Sequence, residues 1–325
     1  AAGATLVSSP AWSEADVILK VGAPDPSEAE EMKEGALLVA FLAPHRNLEL
    51  VRALARKRVT SFSVELVPRT TKAQVMDALS SQASIAGYKA VLLAATKLGR
   101  YFPLLMTAAG TIKPSRVVIM GAGVAGLQAI ATAKRLGAIV EVSDIREAVR
   151  EQVESLGGKF IELPMQESGE GAGGYAREMG EDFLRRQREI VAQHVAQADV
   201  VITTAQIPGK PAPLLLTKEM VARMKPGSIV VDLAVESGGN CELSEMDAEV
   251  RHDGVLIIGH SHLASDTPHD ASVVYARNLQ ALLLYVVKDG ALHLDFGDEI
   301  VAGTTLTHAG EVRHAPTAAM IQGGS

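Results

Sequence analysis

The sequence predicts an α/β protein of two domains built on doubly wound, mostly parallel sheets, with the C-terminal tail returning to the first domain. Three observations carry this. Apolar runs of strand length alternate with helix-period segments as far as residue 263. One run ends in a glycine-rich turn that opens a helix. The alternation then stops, and a long, weakly charged segment leads into two short β-like runs.

In the first domain, assigned to 1–106, residues 17–21, 36–42 and 60–67 read as strands. Residues 48–58 read as a helix whose last turn carries Arg and Lys, as the helix dipole favours. Residues 71–81 and 87–98 read as two further helices, and 108–114 as a loop by composition. The second domain, 107–263, has strands at 116–120, 139–143, 199–203, 228–233 and 255–259. Its helix 124–136 ends at Gly137, and its helix 146–156 ends at Gly157-Gly158. In the last segment, 264–325, residues 271–287 form one long helix, apolar on more than one face and so expected between layers. Residues 300–306 and 311–314, separated by 307–310, read as a terminal hairpin. This tail is expected to pack on the first domain and leave a ligand cleft between the two domains.

Bulk properties exclude several classes. Hydrophobic residues make up 47% of the 325 and charged residues 21%, which implies a packed core rather than disorder. The net charge of -7 argues against nucleic acid, whose backbone needs Lys/Arg stripes. Cys241 is the single cysteine, so no intrachain disulfide can form and a reducing compartment is expected. The opening residues carry no basic stretch with an apolar core, so no secretory signal is expected. The longest apolar stretches, 35–43 and 281–287, fall short of the roughly 20 residues that cross a bilayer. The chain is expected to be soluble, and able to dock on a membrane protein.

The glycine-rich turn is Gly121-Ala122-Gly123-Val124-Ala125-Gly126, between a strand and a helix. Gly121 permits the tight turn, Gly123 lets the backbone approach a pyrophosphate, and Gly126 lets the helix pack on the strand. The helix N-terminus adds free N–H groups and partial positive charge. Asp144 ends the next strand, where a carboxylate accepts hydrogen bonds from ribose hydroxyls and repels a 2′-phosphate. The pattern reads as a Rossmann-like NAD site. Arg146 is the counter-signal, because an Arg here can accommodate the 2′-phosphate of NADP.

Arg69, Gln74 and Asp77 follow the strand ending at Val67-Pro68, and an i, i+3 spacing puts Gln74 and Asp77 on one helix face. The trio suits a clamp on a nicotinamide carboxamide and its ribose; a surface Arg–Asp pair with a solvated Gln fits as well. The glycine-rich stretch 162–180, with Tyr175 as its aromatic residue, is either a functional lid or a surface insertion. Thr203, Thr204, Ala205 and Gln206 lie at the C-terminal end of a strand, where open α/β sheets bind ligands. So does Asp232, which can equally cap a loop. His45, His260 and His262 are candidate proton donors, with plain loop histidines as the competing reading. No His/Cys spacing suggests a metal site.

The strings GAGVAGLQAIATAKRLGAIVEVSDIRE (121–147), EQVESLGGKFIEL (151–163), AGGYAREMG (172–180), ITTAQIPGKPAP (202–213), MKPGSIVVDLAVESGGNCEL (224–243) and PRTTKAQVMDALSSQASIAGY (68–88) carry a resemblance. Together they closely resemble the NAD(H)-binding domain I, or alpha-1 subunit, of the proton-translocating NAD(P) transhydrogenases, within the alanine dehydrogenase/transhydrogenase superfamily. The likeness spans essentially the whole chain. It implies hydride transfer between NADH on this subunit and NADP+ on a separate NADP(H)-binding domain III, coupled to proton translocation by a membrane domain II. It further implies a homodimer, alpha-2 and beta partner subunits, and a place on the cytoplasmic face of the inner membrane, held there by those partners.

Residue by residue, the resemblance implies a catalytic group of Arg69, Gln74, Asp77, the neighbouring Ser80, and Tyr175 on a mobile loop. Nucleotide contacts are implied at Arg69, Thr70, Thr71, Gln74, Val75, Met76 and Asp77, and at Gly121, Ala122, Gly123, Val124 and Gly126. They are implied also at Asp144, Ile145 and Arg146, at Gly174 and Tyr175, and at Thr204, Ala205 and Gln206. The family pattern places a strand and helix with a Pro-Lys-Glu element before the segment that opens here at Ala1, so the first domain's sheet is expected to lack them.

Two competing readings are weighed. Alanine dehydrogenase, a sister family, needs a histidine general acid in an apolar strand followed by Leu-Ala. The matching stretch here is Val39-Ala40-Phe41-Leu42-Ala43, and Phe41 cannot transfer a proton; Lys20 alone makes no substrate site. A non-catalytic NAD-binding regulatory module is opposed by the Arg69 trio and the lid.

Overall fold

The computed structural model describes residues 3–162, 181–207 and 209–323. The chain forms two compact units, one of residues 82–271 and one of residues 1–81 with 272–325. Among the described residues no helix is long and apolar enough to cross a membrane.

The larger unit holds a seven-stranded sheet. From one edge its strands run Glu249–His252, Val255–Ile258, Ile229–Asp232, Val200–Thr203, Arg116–Met120, Ile139–Ser143 and Lys159–Phe160. All neighbours are parallel except the first pair. From Arg116–Met120 the chain winds outward through Ile139–Ser143, then returns to Val200–Thr203 on the other side. This reversal is the switch point at which open sheets leave a crevice. The central strands are unbroken buried runs because helices cover both faces. Val117, Ile119, Val140 and Val142 pack with Ala129, Ile130 and Ala133 of the helix Val124–Arg135. Val118, Met120, Val201 and Val230 pack with Val191, Val195 and Met220 on the opposite face.

The smaller unit has a five-stranded sheet in the order Val17–Leu19, Leu37–Ala40, Thr60–Ser63, Thr305–His308 and Glu311–Val312. The first three strands are parallel, and the tail adds two antiparallel ones. One face packs on the helix Leu48–Arg56 through Leu50, Val51 and Leu54, the other on the helix Pro268–Val286 through Tyr275, Leu279 and Leu282.

Five local readings need correction, each for a physical reason. The two helices expected at 71–81 and 87–98 are one helix, Ala78–Lys97, preceded by a 3₁₀ turn, Gln74–Met76. Asp77 therefore does not share a helix face with Gln74. Its carboxylate accepts from the Ser80 N–H at 2.8 Å and the Ser80 hydroxyl at 2.6 Å, the bonds of a helix N-cap. The helix Pro268–Val286 buries one stripe rather than several faces, and Leu284 is 70% exposed. Residues 300–304 are helical, not extended. Asp298 Oδ1 caps the helix Glu299–Thr304 by accepting from Ile300 and Val301 N–H, and the strand starts at Thr305. Residues 108–112 belong to a small hairpin, Leu105–Thr107 with Gly110–Ile112, rather than a loop. The edge strand Glu249–His252 was not foreseen, although Asp253-Gly254, both at positive φ, is the sequence signature of its two-residue hairpin turn.

Candidate functional site

The glycine turn follows the central strand of the larger unit. Gly121 adopts φ +102° and donates its N–H to Ser143 O at 2.8 Å, tying the turn to the neighbouring strand. The three glycines meet different constraints. A Cβ on Gly126 would lie 1.9 Å from Gly121 O, and one on Gly121 would lie 2.7 Å from Thr204 Oγ1. A Cβ on Gly123 would meet nothing within 4 Å. Packing thus explains Gly121 and Gly126, while Gly123 borders open space. Gly123 is also the residue before the helix Val124–Arg135, whose start no side chain caps. Bare N–H groups beside an unfilled cradle suit the pyrophosphate of a dinucleotide.

Sequence reasoning missed Gly87, midway along Ala78–Lys97. A Cβ there would lie 2.0 Å from Ala125 O, so the two helices touch backbone to backbone at the turn. The signal was a glycine inside a helical pattern, where it costs stability unless close approach requires it.

Asp144 is buried at the carboxyl end of Ile139–Ser143. Its Oδ2 accepts from Ala122 N–H at 2.7 Å and Arg146 Nη2 at 2.7 Å. Its Oδ1 accepts from Arg146 N–H at 2.8 Å and Arg146 Nε at 2.9 Å. The acid thus braces the turn and holds the guanidinium in a two-pronged grip. These four bonds use about all the acceptor sites of a carboxylate. Ile145 between them packs on the core.

Across the switch point, Thr204 Oγ1 donates to Gly121 O at 3.0 Å. Ala205 is clamped by the fully buried Asn240, which donates to Ala205 O at 2.9 Å and accepts from Ala205 N–H at 3.0 Å. Gln206 is exposed and donates to Leu233 O. Asp232 takes the loop-capping option. It accepts from Thr203 Oγ1 and from Ala234, Asn240 and Cys241 N–H, and so fixes Asn240 in turn.

The other candidates lie in the smaller unit. Arg69, Thr71, Gln74 and Val75 are exposed, and Met76 is buried. Thr70 Oγ1 is buried without a hydrogen-bond partner. Asn278 donates to Val75 O at 2.8 Å and accepts from Ser81 Oγ, pinning the loop to its unit. Phe41 stacks on Tyr275 with ring centroids 5.6 Å apart. The three histidines are not gathered. His45 belongs to the smaller unit, where burial and then Arg46 hold it below the usual imidazole range. His260 and His262, in the larger unit, pair with Glu249 and Glu236. Gly174 and Tyr175 lie outside the described residues.

Known proteins match this chain along its length. The description "Alanine dehydrogenase/PNT, C-terminal domain" matches residues 90–315, and its N-terminal counterpart matches 1–86. The first of the chains that make up NAD(P) transhydrogenase subunit alpha in Rhodospirillum rubrum is 50% identical, over 97% of this chain and 85% of that protein. The chain belongs to the NAD(P) transhydrogenase alpha-subunit family. The solved transhydrogenase from Sinorhizobium meliloti superposes with a TM-score of 0.83 at 48% identity, covering 93% of this chain and 82% of that one. The alanine dehydrogenase of Bacillus subtilis is 27% identical over 90% of this chain and 73% of its own. The transhydrogenase alpha subunits are the nearer of the two groups, in line with Phe41 at the position where the dehydrogenase reading needs an acid. Both halves of the fold, the Rossmann-like unit and the unit that takes back the tail, are those of the family.

Proposed function

We propose that this chain is the NAD(H)-binding subunit of a proton-translocating NAD(P)+ transhydrogenase, passing hydride between its own nicotinamide and NADP(H) on a separate domain III. The observation that carries this is the glycine turn, with Gly123 facing open space and the helix start uncapped, in a chain half identical to a transhydrogenase alpha subunit. Bound NADH supplies the hydride, and the chain's own residues bind, orient and exclude water.

Gly121, Ala122, Gly123, Val124 and Gly126 cradle the pyrophosphate. Asp144, with Ile145 and Arg146, takes the adenosine ribose; a ribose hydroxyl donating to Asp144 replaces one Arg146 N–H. Thr204, Ala205 and Gln206 line the nucleotide from the next strand. Arg69 and Gln74 orient the carboxamide and nicotinamide ribose, with Thr70, Thr71, Val75 and Met76 shaping the loop between them. Asp77 and Ser80 fix the end of that loop by their mutual hydrogen bonds. Gly174 and Tyr175 cover the nucleotide. No protein acid or base is needed for transfer between two nicotinamides.

The remaining partners belong to the same reading. A second copy docks on the hairpin that exposes Leu104, Met106 and Ile112, a patch of the kind that marks protein interfaces. Alpha-2 and beta subunits supply the membrane domain II and domain III, and hold the chain on the cytoplasmic face of the membrane. The test is to mix the chain with a domain III protein and follow NADH-dependent reduction of NADP+. Transfer is expected, with no NADH formed from alanine and NAD+. Alanine-dependent NADH formation without transfer would replace this reading.

A further inference from the structure

Lys72 lies inside the 69–77 loop, between Arg69 and Gln74, and is not among the nucleotide contacts proposed above. Its Nζ is 3.3 Å from Asp298 Oδ2 and 4.8 Å from the centroid of the Tyr285 ring. The Tyr285 hydroxyl donates to the same Asp298 oxygen at 2.5 Å. The other carboxylate oxygen is committed to the cap of Glu299–Thr304. The anion is therefore fixed in place independently of the lysine. The Tyr285 hydroxyl, more than the lysine, pulls the Asp298 carboxyl down to about 2, so it is ionised throughout the neutral range. Tyr285 lies on the helix Pro268–Val286, seven residues or roughly 10 Å beyond Asn278, which holds Val75 O. One helix thus presents two posts to the loop, one fixing its backbone at 75 and one its charge at 72. All these groups belong to one compact unit.

We propose that Lys72 is a positioning residue: held by Asp298 and Tyr285, it fixes the pose of the loop from which Arg69 and Gln74 reach the nicotinamide. The proposal rests on the transhydrogenase reading. The lysine side chain is 60% exposed, so the effect is modest and falls with salt.

The experiment uses the full chain with domain III and measures kcat and KM for NADH in wild type, Lys72→Met, Lys72→Arg, Asp298→Asn and the Met/Asn double variant. Wild type is assayed first. A wild type that transfers no hydride contradicts the functional reading, whereas the comparisons below bear on Lys72 alone. Asn keeps an oxygen for the helix cap, and thermal melts establish that each variant folds. Lys72→Met and Asp298→Asn are each expected to raise KM about two- to five-fold, with less change in kcat. The double variant is expected to be no worse than either single one, as for two groups acting through one contact. Lys72→Arg is expected to restore the wild-type KM, and the gap between wild type and Lys72→Met to close as salt rises to about 300 mM. A normal KM in Asp298→Asn beside a raised one in Lys72→Met would show the lysine acting on the nucleotide directly and overturn the proposal. Normal KM values in both single variants, or additive losses in the double one, would overturn it too. If Asp298→Asn fails to fold, the Met/Arg comparison and its salt dependence decide.

Discussion

The glycine turn of the larger unit and the 69–77 loop of the smaller unit serve one nucleotide in this reading, yet they are built by opposite means. The turn is backbone on backbone. Gly126 against Gly121 and Gly87 against Ala125 approach so closely that no side chain fits, and Asp144 ties the turn to its sheet through one N–H. The loop is held by side chains from far along the chain: Asn278 on Val75 O, Asp298 and Tyr285 on Lys72. A site shaped by main-chain contact fails all at once when a methyl group is added. A site shaped by side-chain tethers loosens by degrees.

That contrast can be broken most sharply at the glycines. Gly126→Ala and Gly87→Ala each place a Cβ about 2 Å from a carbonyl oxygen, and are expected to destabilise the chain by about 1–3 kcal/mol or more in denaturant melts. Gly123→Ala, with open space around its Cβ, is expected to stay within about 0.5 kcal/mol of wild type while NADH affinity falls at least about tenfold. Equal stability losses at 123 and 126 would erase the distinction between a packing glycine and a ligand-facing one.

Arg69→Ala tests the tethered side. Hydride transfer with domain III is expected to drop about 10- to 100-fold with unchanged melting, because a misplaced nicotinamide costs rate rather than fold. Full rate in this variant would remove the loop from the chemistry. Asp77→Ala removes the cap on Ala78–Lys97 and is expected to cost about 1 kcal/mol in chemical unfolding.

Asp298 supplies a pH handle. Its carboxyl is held near 2, below the ordinary value of 3.8, so its stabilising contribution is complete above about pH 4 and is lost as pH falls through 2. The stability gap between wild type and Asp298→Asn is therefore expected to be constant from pH 5 to 7 and to narrow below pH 4. The smallest effect concerns Cys241, whose thiol burial pushes up to about 11. It is expected to resist a thiol reagent at pH 8 in the folded chain and to react on unfolding.

How much of this could be read from the sequence follows from the same contrast. Residues 116–120 and 139–143 matched the observed strands end to end, because buried parallel strands must be continuous apolar runs. The turn was legible because its backbone demands glycine at fixed spacing. The 69–77 segment was not: it is a 3₁₀ turn between a strand and a capped helix, and its contacts with Asn278 and Asp298 lie some 200 residues away. Periodicity carries no information about such pairings. Asp144 was legible as an acid at the right place, but its grip on Arg146 was not, because the sequence does not reveal which partner a carboxylate has already taken. The strand expected at 300–304 went to helix for a local reason that was on view, since Asp298 is a capping residue placed just before it.

The most direct measurement is isotopic. NADH carrying deuterium at the transferable position of its nicotinamide is mixed with NADP+, this chain and a domain III protein, and the NADPH formed is analysed by mass spectrometry. Direct transfer between two nicotinamides places the deuterium in NADPH, and Gly123→Ala slows its appearance in parallel with weakened NADH binding. No NADPH from folded wild-type chains, or NADPH whose new hydrogen comes from water, would contradict the account.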